Sequence, residues 1–362
     1  MMPKSFSACA ILIALAAAVF CAPRAAAASP DQGKALVYVQ GPEHPARKVP
    51  CDRACLKGFV DKYFAALSSR CPCTLALAPD VKYTENGEVV APGEGIWKTF
   101  SGIGKYHIYL EDPANSEAGY YGDFTEFNGA LFGMMAMRLK IKDQRITEIE
   151  VIVDREQLRP TGGLGMNTAG VMTPRMIDEI HPKPFASPDP VLLQALTPAT
   201  RTPRAQMTAA LDRYFEGYAQ SKSSLVPFAD RCSRRENGIL TANNASGPVI
   251  DPAQPGFAAY GGTCAQELDA GFFSALAKPR DHRNLVVDEQ QGLVLSLTLF
   301  DNEGDIRSVP VPQVGEVKVP TAFLRPITYF KPQLFKIEKG KILAIEGLSW
   351  ALPFGMTSGW GD

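Results

Sequence analysis

The sequence predicts an α+β protein made of two related halves, and three observations carry that reading. An amphipathic helix stripe occurs twice, 151 residues apart. Each copy is followed by a strand that ends in Glu-Asn-Gly, at Glu85-Asn86-Gly87 and again at Glu236-Asn237-Gly238. A pair of strands late in the first half recurs late in the second at a shift of 196. Helix first and sheet afterwards is α+β order, because the strands pair with one another and leave the helix to cover one face.

The stripe is Leu56, Phe59, Val60, Tyr63, Phe64 and Leu67, at spacings of three and four residues, and it returns without a gap as Met207, Ala210, Leu211, Tyr214, Phe215 and Tyr218. That period places all six side chains on one helix face. Asn-Gly supplies the positive φ angles of a tight turn, which ends each short strand. Further along, Met135, Met137, Leu139 and Ile141 alternate with Met134, Ala136, Arg138, Lys140 and Lys142. The turn Asp143-Gln144 and a strand from Arg145 to Val153 complete a hairpin of half-buried strands. Lys140-Ile141, Ile146 and Ile149-Glu150 reappear as Lys336-Ile337, Ile342 and Ile345-Glu346, so the second half carries about 45 additional residues. These are expected in stretches 246–262 and 302–326, whose prolines and glycines read as loops.

The ends and joints follow from composition. Residues 1–28 read as a signal peptide: Lys4 precedes the apolar run Ala8 to Phe20, and Ala26-Ala27-Ala28 offers small residues for cleavage after Ala28. The expected product is a secreted or periplasmic protein, with an N-terminal extension over 29–51, a first domain over 52–158, a linker over 159–204 and a second domain over 205–362. The linker holds eight prolines in 46 positions, with short helices expected only at Met176–Ile180 and Val191–Leu196. With 37 basic and 38 acidic side chains and no basic run interleaved with aromatics, nucleic acid is not an expected partner. After the signal, no apolar run approaches the ~20 residues needed to cross a bilayer, so membrane insertion is not expected either.

Six cysteines follow the signal: Cys51, Cys55, Cys71, Cys73, Cys232 and Cys264. An even number in an exported chain favours disulfides over a metal site or a catalytic thiol. Cys232 and Cys264 are expected to pair with each other. Among the first four, a nested arrangement, Cys51 with Cys73 and Cys55 with Cys71, is geometrically sensible, although spacing does not choose among the three pairings.

The element order, together with Leu77-Ala78-x6-Glu85-Asn86-Gly87 and Phe228-Ala229-x6-Glu236-Asn237-Gly238, resembles the NTF2-like superfamily over residues 52–156 and 205–352. That superfamily includes SnoaL-like polyketide cyclases, ketosteroid isomerase, scytalone dehydratase and limonene epoxide hydrolase. The resemblance implies two tandem cone domains, each an N-terminal helix with a curved antiparallel sheet around a pocket. Since the family's sheets commonly pack as dimers, it also implies an intrachain pseudo-dimer that leaves the chain free to act as a monomer.

Candidate chemistry centres on the first half. Tyr83 and Glu85 lie two apart on one strand face, a phenol that donates beside a carboxylate that accepts. His107, on the face opposite Tyr106 and Ile108, is a further acid or base if it points inward. These three are the expected catalytic residues. Asn86, Trp97, Tyr106, Asp123 and Glu236 are the expected substrate contacts, although Asn86 is also explained by its turn. In the second half Arg234 stands where the first has Tyr83 and breaks the pair, so the first pocket is the expected active one. Asp123 and Glu126 are expected at a solvated hairpin end, His282 in an exposed position among charges, and Glu150 and Glu346 at a contact between the sheets. His44 and His181 are expected in solvated loops.

No dinucleotide, phosphate-loop, zinc-protease or nucleophile-elbow motif is present, so neither cofactor nor metal is expected. The reading is an exported, cofactor-independent lyase, dehydratase or isomerase acting on a small apolar or aromatic molecule. The alternative is a protein of the same fold that binds a small ligand or serves as a scaffold.

Overall fold

The structure, a computed structural model, describes residues 51–155, 187–236, 239–243, 262–312 and 314–361. The expected signal segment, most of the extension and linker, the helix at 176–180, His44, His181 and Asn237-Gly238 lie outside the described residues.

Helix α1 (Arg53–Ser69) opens with Asp52 accepting a hydrogen bond from the Cys55 N–H, and closes at Arg70 in the left-handed region. Its stripe is the reason it folds: Leu56, Val60, Tyr63 and Leu67 have no exposed surface. Each such burial is worth about 1.5–3 kcal/mol. The first sheet comprises β1 (Leu77–Glu85), β2 (Glu88–Val89), β3 (Phe100–Asp112), β4 (Glu117–Glu126), β5 (Leu131–Lys142) and β6 (Arg145–Asp154), in the order β2-β1-β6-β5-β4-β3.

After the short helix α2 (Pro190–Leu193), α3 (Arg204–Gln220) opens the second half. There follow β7 (Phe228–Glu236), β8 (Ile239–Ala242), α4 (Cys264–Asp269), α5 (Phe272–Leu276), β9 (Lys278–Asp288) and β10 (Leu293–Asn302). A hairpin of β11 (Ser308–Val311) and β12 (Gly315–Lys318) precedes β13 (Ile327–Glu338), β14 (Lys341–Gly347) and β15 (Trp350–Pro353). The second sheet runs β8-β7-β14-β13-β10-β9, with β15 on β13. Its strand order is that of the first sheet.

The boundaries coincide as well: α1 and β1 fall on α3 and β7 at a shift of 151, β4 on β10 at 176, and β5 on β13 at 196. The second half is therefore longer by 25 residues between β8 and α5, and by 20 between β10 and β13. The second of these stretches is not wholly the loop that its composition suggests: it contains the β11–β12 hairpin, whose Val309, Val311 and Val317 bury against Phe272, Leu276 and Phe323, while 246–261 lies outside the described residues and α4 follows it.

Neither sheet is wholly antiparallel, in contrast to the sequence expectation. β1 runs parallel to β6, and β7 to β14. Parallel neighbours need a long crossover, and here most of each half provides it. The Asn-Gly turn is as expected, with φ of 50° at Asn86 and 85° at Gly87. Asn86 also clamps β6, accepting from the Val153 N–H at 2.9 Å and donating to the Val153 carbonyl at 3.1 Å. Replacing Asn86 with alanine removes both bonds and is expected to cost about 2 kcal/mol, read as a lowered urea midpoint at unchanged slope.

One face of each sheet packs on its own helix, and the other contributes to a cluster shared by both halves, with Ile108, Tyr121 and Met134 against Leu285, Leu295 and Leu334. Charges at its border repeat. Arg53 at the start of α1 meets Asp288 at the end of β9 at 2.7 Å, and Arg204 at the start of α3 meets Asp112 at the end of β3 at 2.5 Å. Under the shifts of 151 and 176 these are the same pair taken in both directions, as in a two-fold contact between like subunits. Glu150 is bound by Arg283 from the other sheet at 2.5 Å. Glu346, on β14, is hydrogen-bonded to Tyr106 of β3, and burial pushes its carboxyl up to about 7 although Tyr106 and Arg235 oppose the shift.

The cysteines pair as Cys51–Cys55, Cys71–Cys73 and Cys232–Cys264. The last is the expected pair, whereas the first two replace the nested arrangement. Cys51 and Cys55 sit one turn apart at the start of α1, while Cys71 and Cys73 flank a turn beyond its other end, so the helix holds the two pairs apart. With all six thiols joined, they are not available as metal ligands.

Candidate functional site

In the first half, Tyr83 and Glu85 come together as the sequence suggests, the phenol donating to the Glu85 carboxylate at 3.2 Å. Their surroundings are closed. Glu85 accepts from the Ile96 N–H at 2.7 Å and pairs with Arg155 at 3.3 Å, which also binds Glu126 at 2.7 Å. The approach is so tight that a Cβ on Gly95 would lie 2.1 Å from the Glu85 carboxylate. Glu85 thus caps the turn Gly95–Lys98 that carries Trp97. Trp97 and Tyr83 are 1% exposed and Tyr63 is fully buried; Trp97 meets Tyr63 edge-on, with ring centroids 5.5 Å apart.

The remaining expected site residues are dispersed. His107 lies on β3, separated from β1 by β6, β5 and β4, and its Nδ1 is 2.9 Å from the Gly104 carbonyl. Tyr106 faces the other sheet and Glu346, so it lines the contact between halves and not a substrate pocket. Asp123 accepts from the Tyr106 N–H at 3.0 Å, and burial pushes its carboxyl up to about 6. Asp123 and Glu126 are 5% and 1% exposed, which corrects their expected solvated position. Asp123 is held inside by the Tyr106 N–H, and Glu126 by Arg155 and the Thr99 hydroxyl.

His282 is likewise not exposed. Its ring lies 4.2 Å from that of Phe215, its Nδ1 is 3.1 Å from the Thr298 hydroxyl, and burial lowers its pKa to about 4 even though Asp212 opposes the shift. A depressed histidine favours the neutral folded form, so its contribution is complete above the unfolded value of about 6.5 and is lost as the pH falls through 4. Relative to His282→Phe, the wild-type protein is expected to lose on the order of 3 kcal/mol between pH 7 and pH 4, measured by urea unfolding at each pH.

Among the described residues, a cavity lies in the second half. It measures about 110 Å³, and its aromatic walls include Tyr214, Tyr218, Phe228, Phe272, Phe300 and Tyr329. For scale, an apolar cavity of ~150 Å³ admits benzene. Besides the exposed Arg325, four charged side chains line it. Arg234 on β7 donates to Glu236 on the same strand at 2.6 Å and to Glu267 on α4, also at 2.6 Å. Lys331 on β13 binds the other oxygen of Glu236 at 2.7 Å. Burial would raise the Glu236 carboxyl, but Lys331 and Arg234 outweigh it and hold the group below its ordinary value. Glu267 goes the other way, raised by burial in spite of Arg234 and Thr241. Burial lowers Lys331, an effect that Glu236 opposes and Arg234 reinforces. Two carboxylates with oppositely displaced affinities for a proton therefore share one guanidinium.

Comparison of the halves explains why the cavity is here. By the strand shifts, Arg234 replaces Tyr83, Lys331 replaces Met135 and Phe273 replaces Trp97. Cys264, Glu267 and Leu268 come from the 25-residue addition, and Phe323 and the exposed Arg325 from the 20-residue one. The additions build two walls for which the first half has no counterpart. The Cys232–Cys264 disulfide pins the helix carrying Glu267 to the strand carrying Arg234 and Glu236. Sequence reasoning singled out Glu236 but missed Glu267 and Lys331. The available signal for Lys331 was its alignment with Met135, a lysine on the face that packs against the helix.

Residues 200–349 match a family described as a domain of unknown function (DUF8021). The matched segment contains Arg234, Glu236, Glu267 and Lys331. The search of the curated proteins finds no match. Among the described residues, no helix is long and apolar enough to cross a membrane.

Proposed function

We propose that the second half is the working domain of a small-molecule enzyme, which moves a proton on an apolar or aromatic substrate bearing a carbonyl or comparable polar group. The observation that carries this reading is an aromatic-walled cavity ending in a buried carboxylate, Glu267, whose proton affinity is raised, beside the cations Arg234 and Lys331. Glu267 is the proton acceptor and later the donor. Arg234 and Lys331 stabilise the oxyanion that develops when a proton leaves the carbon next to a carbonyl. The aromatic walls exclude water and hold the substrate's apolar body.

The equal strand orders and the reciprocal arginine–aspartate pairs support the reading of two NTF2-like domains paired within one chain, so that a monomer carries what would otherwise be a dimer. The first half then serves as the structural partner. The disulfides suit an exported protein. The test is hydrogen–deuterium exchange at the α-carbon of phenylacetone in deuterated buffer, followed by NMR. Exchange faster with protein than with buffer alone is expected, and its absence across small aryl ketones would overturn the reading.

A further inference from the structure

Lys331 has a counterpart in the first half that shows what the strand itself requires. At the equivalent position Met135 is fully buried on the face that packs against α1, so an apolar side chain meets the needs of this position in the fold. Nor is Lys331 Glu236's only cation, because Arg234 already donates to that carboxylate at 2.6 Å. The amine nevertheless lines the cavity, and the 13% of its side chain that remains exposed belongs to a residue of the cavity wall. Its Nζ lies over the Phe300 ring, 5.4 Å from the centroid, and another cavity residue, Tyr329, precedes it by two on the same strand face.

The second buried lysine provides the contrast. Lys336, on the same strand, donates to the carbonyls of Gln194 at 2.5 Å and Gln291 at 2.6 Å. It is a clamp between backbone segments and lines no part of the cavity. Lys331, in comparison, is held by one carboxylate and not by backbone carbonyls, and it faces space that a small molecule can enter.

We infer that Lys331 is a nucleophilic amine that captures the carbonyl carbon of an aromatic or apolar aldehyde or ketone as an imine. This inference rests on the proposed function of the cavity and deepens it. The Lys331 ammonium, destabilised by burial and by the Arg234 cation, gives up one proton to solvent and becomes a neutral amine. The nitrogen lone pair forms a bond to the carbonyl carbon as the C=O π electrons move to oxygen, and a proton passes from nitrogen to that oxygen. A proton from solvent converts the resulting hydroxyl into water, which departs while the nitrogen lone pair closes the C=N bond. The ammonium and the carbonyl compound thus become a protonated imine and water, with charge conserved and no oxidant or reductant consumed. Two features favour the step, desolvation of the amine and the adjacent Arg234 cation, against the opposing pull of Glu236. The protonated imine withdraws electrons more strongly than a carbonyl, which makes the neighbouring C–H easier for Glu267 to deprotonate.

The test uses the full chain after its expected signal, benzaldehyde as the trapping probe and benzyl alcohol as a ligand of similar shape without a carbonyl. Protein incubated with benzaldehyde and sodium cyanoborohydride near neutral pH is digested and mapped by mass spectrometry. Stoichiometric benzylation of Lys331, ahead of the exposed lysines Lys57 and Lys98, is the expected result. Lys331→Arg, which keeps a cation beside Glu236, is expected to lose that adduct; the position of the adduct on wild-type protein decides the matter even where the variant folds poorly. Benzyl alcohol that raises the melting temperature of the wild-type protein but not of Ala351→Phe, together with no adduct on Lys331, would overturn the imine while leaving the cavity's role intact. If neither benzaldehyde nor benzyl alcohol binds and no adduct forms, both the imine and the proposed function fall.

Discussion

Replacing Arg234 with methionine is expected to destabilise the protein by roughly 3–5 kcal/mol, the cost of breaking a buried ion network by removing one member. Arg234 is the shared partner of Glu236 and Glu267, and its side chain is only 11% exposed. Without it, two buried carboxylates face a single cation, Lys331. The loss is expected to be smaller at pH 5 than at pH 8, because a carboxylate with no cation beside it accepts a proton as the pH falls. Urea unfolding at both pH values measures this. Adding Glu267→Gln to Arg234→Met should recover part of the loss by removing one of the stranded charges. A cost below about 1 kcal/mol would mean that the network behaves like a solvated surface pair.

The second large effect is on chemistry. Glu267→Gln keeps the shape and one hydrogen-bond acceptor for Arg234 and Thr241 but cannot take a proton. Protein-catalysed exchange at the α-carbon of phenylacetone is expected to fall by at least ~100-fold, the lower end of what a positioned general base contributes. Glu85→Gln in the first half should leave the rate unchanged, because Glu85 is held by Ile96, Tyr83 and Arg155 away from the cavity. A rate that survives Glu267→Gln and disappears in Glu85→Gln would return the chemistry to the first half.

Much of the fold is legible in the sequence because helix stripes, alternating strands and Asn-Gly turns are local patterns. The α1 stripe at Leu56 to Leu67, its image at Met207 to Tyr218, and the β5–β6 hairpin all appear where periodicity puts them. Other features depend on what packs against what. The parallel pairing of β1 with β6 is a property of the whole crossover and leaves no mark on either strand. His282 looks exposed among Arg280, Asp281 and Arg283, yet Phe215 of α3 covers its ring.

The site was legible only in fragments. Tyr83 and Glu85 share a strand face as the alternation requires, but whether that face meets open space depends on Trp97, Tyr63 and Arg155, which approach from other elements. In the second half, Arg234 looked like the loss of a catalytic pair. It is instead the centre of a different polar group, completed by Lys331 from six strands later in the chain and by Glu267 from the short helix α4. A glutamate in such a segment gives no sign that a disulfide and an arginine will draw it into a cavity.

The central claim, that the second half's cavity is the small-molecule site, is tested most directly by calorimetric titration of benzyl alcohol into wild-type protein, Ala351→Phe and Glu85→Gln. Ala351 lines the cavity, and a phenyl group there takes the ligand's place. One saturable site with a negative heat-capacity change is expected for the wild type and for Glu85→Gln, with affinity at least about tenfold weaker in Ala351→Phe. Binding that survives Ala351→Phe unchanged and is lost in Glu85→Gln would contradict the account.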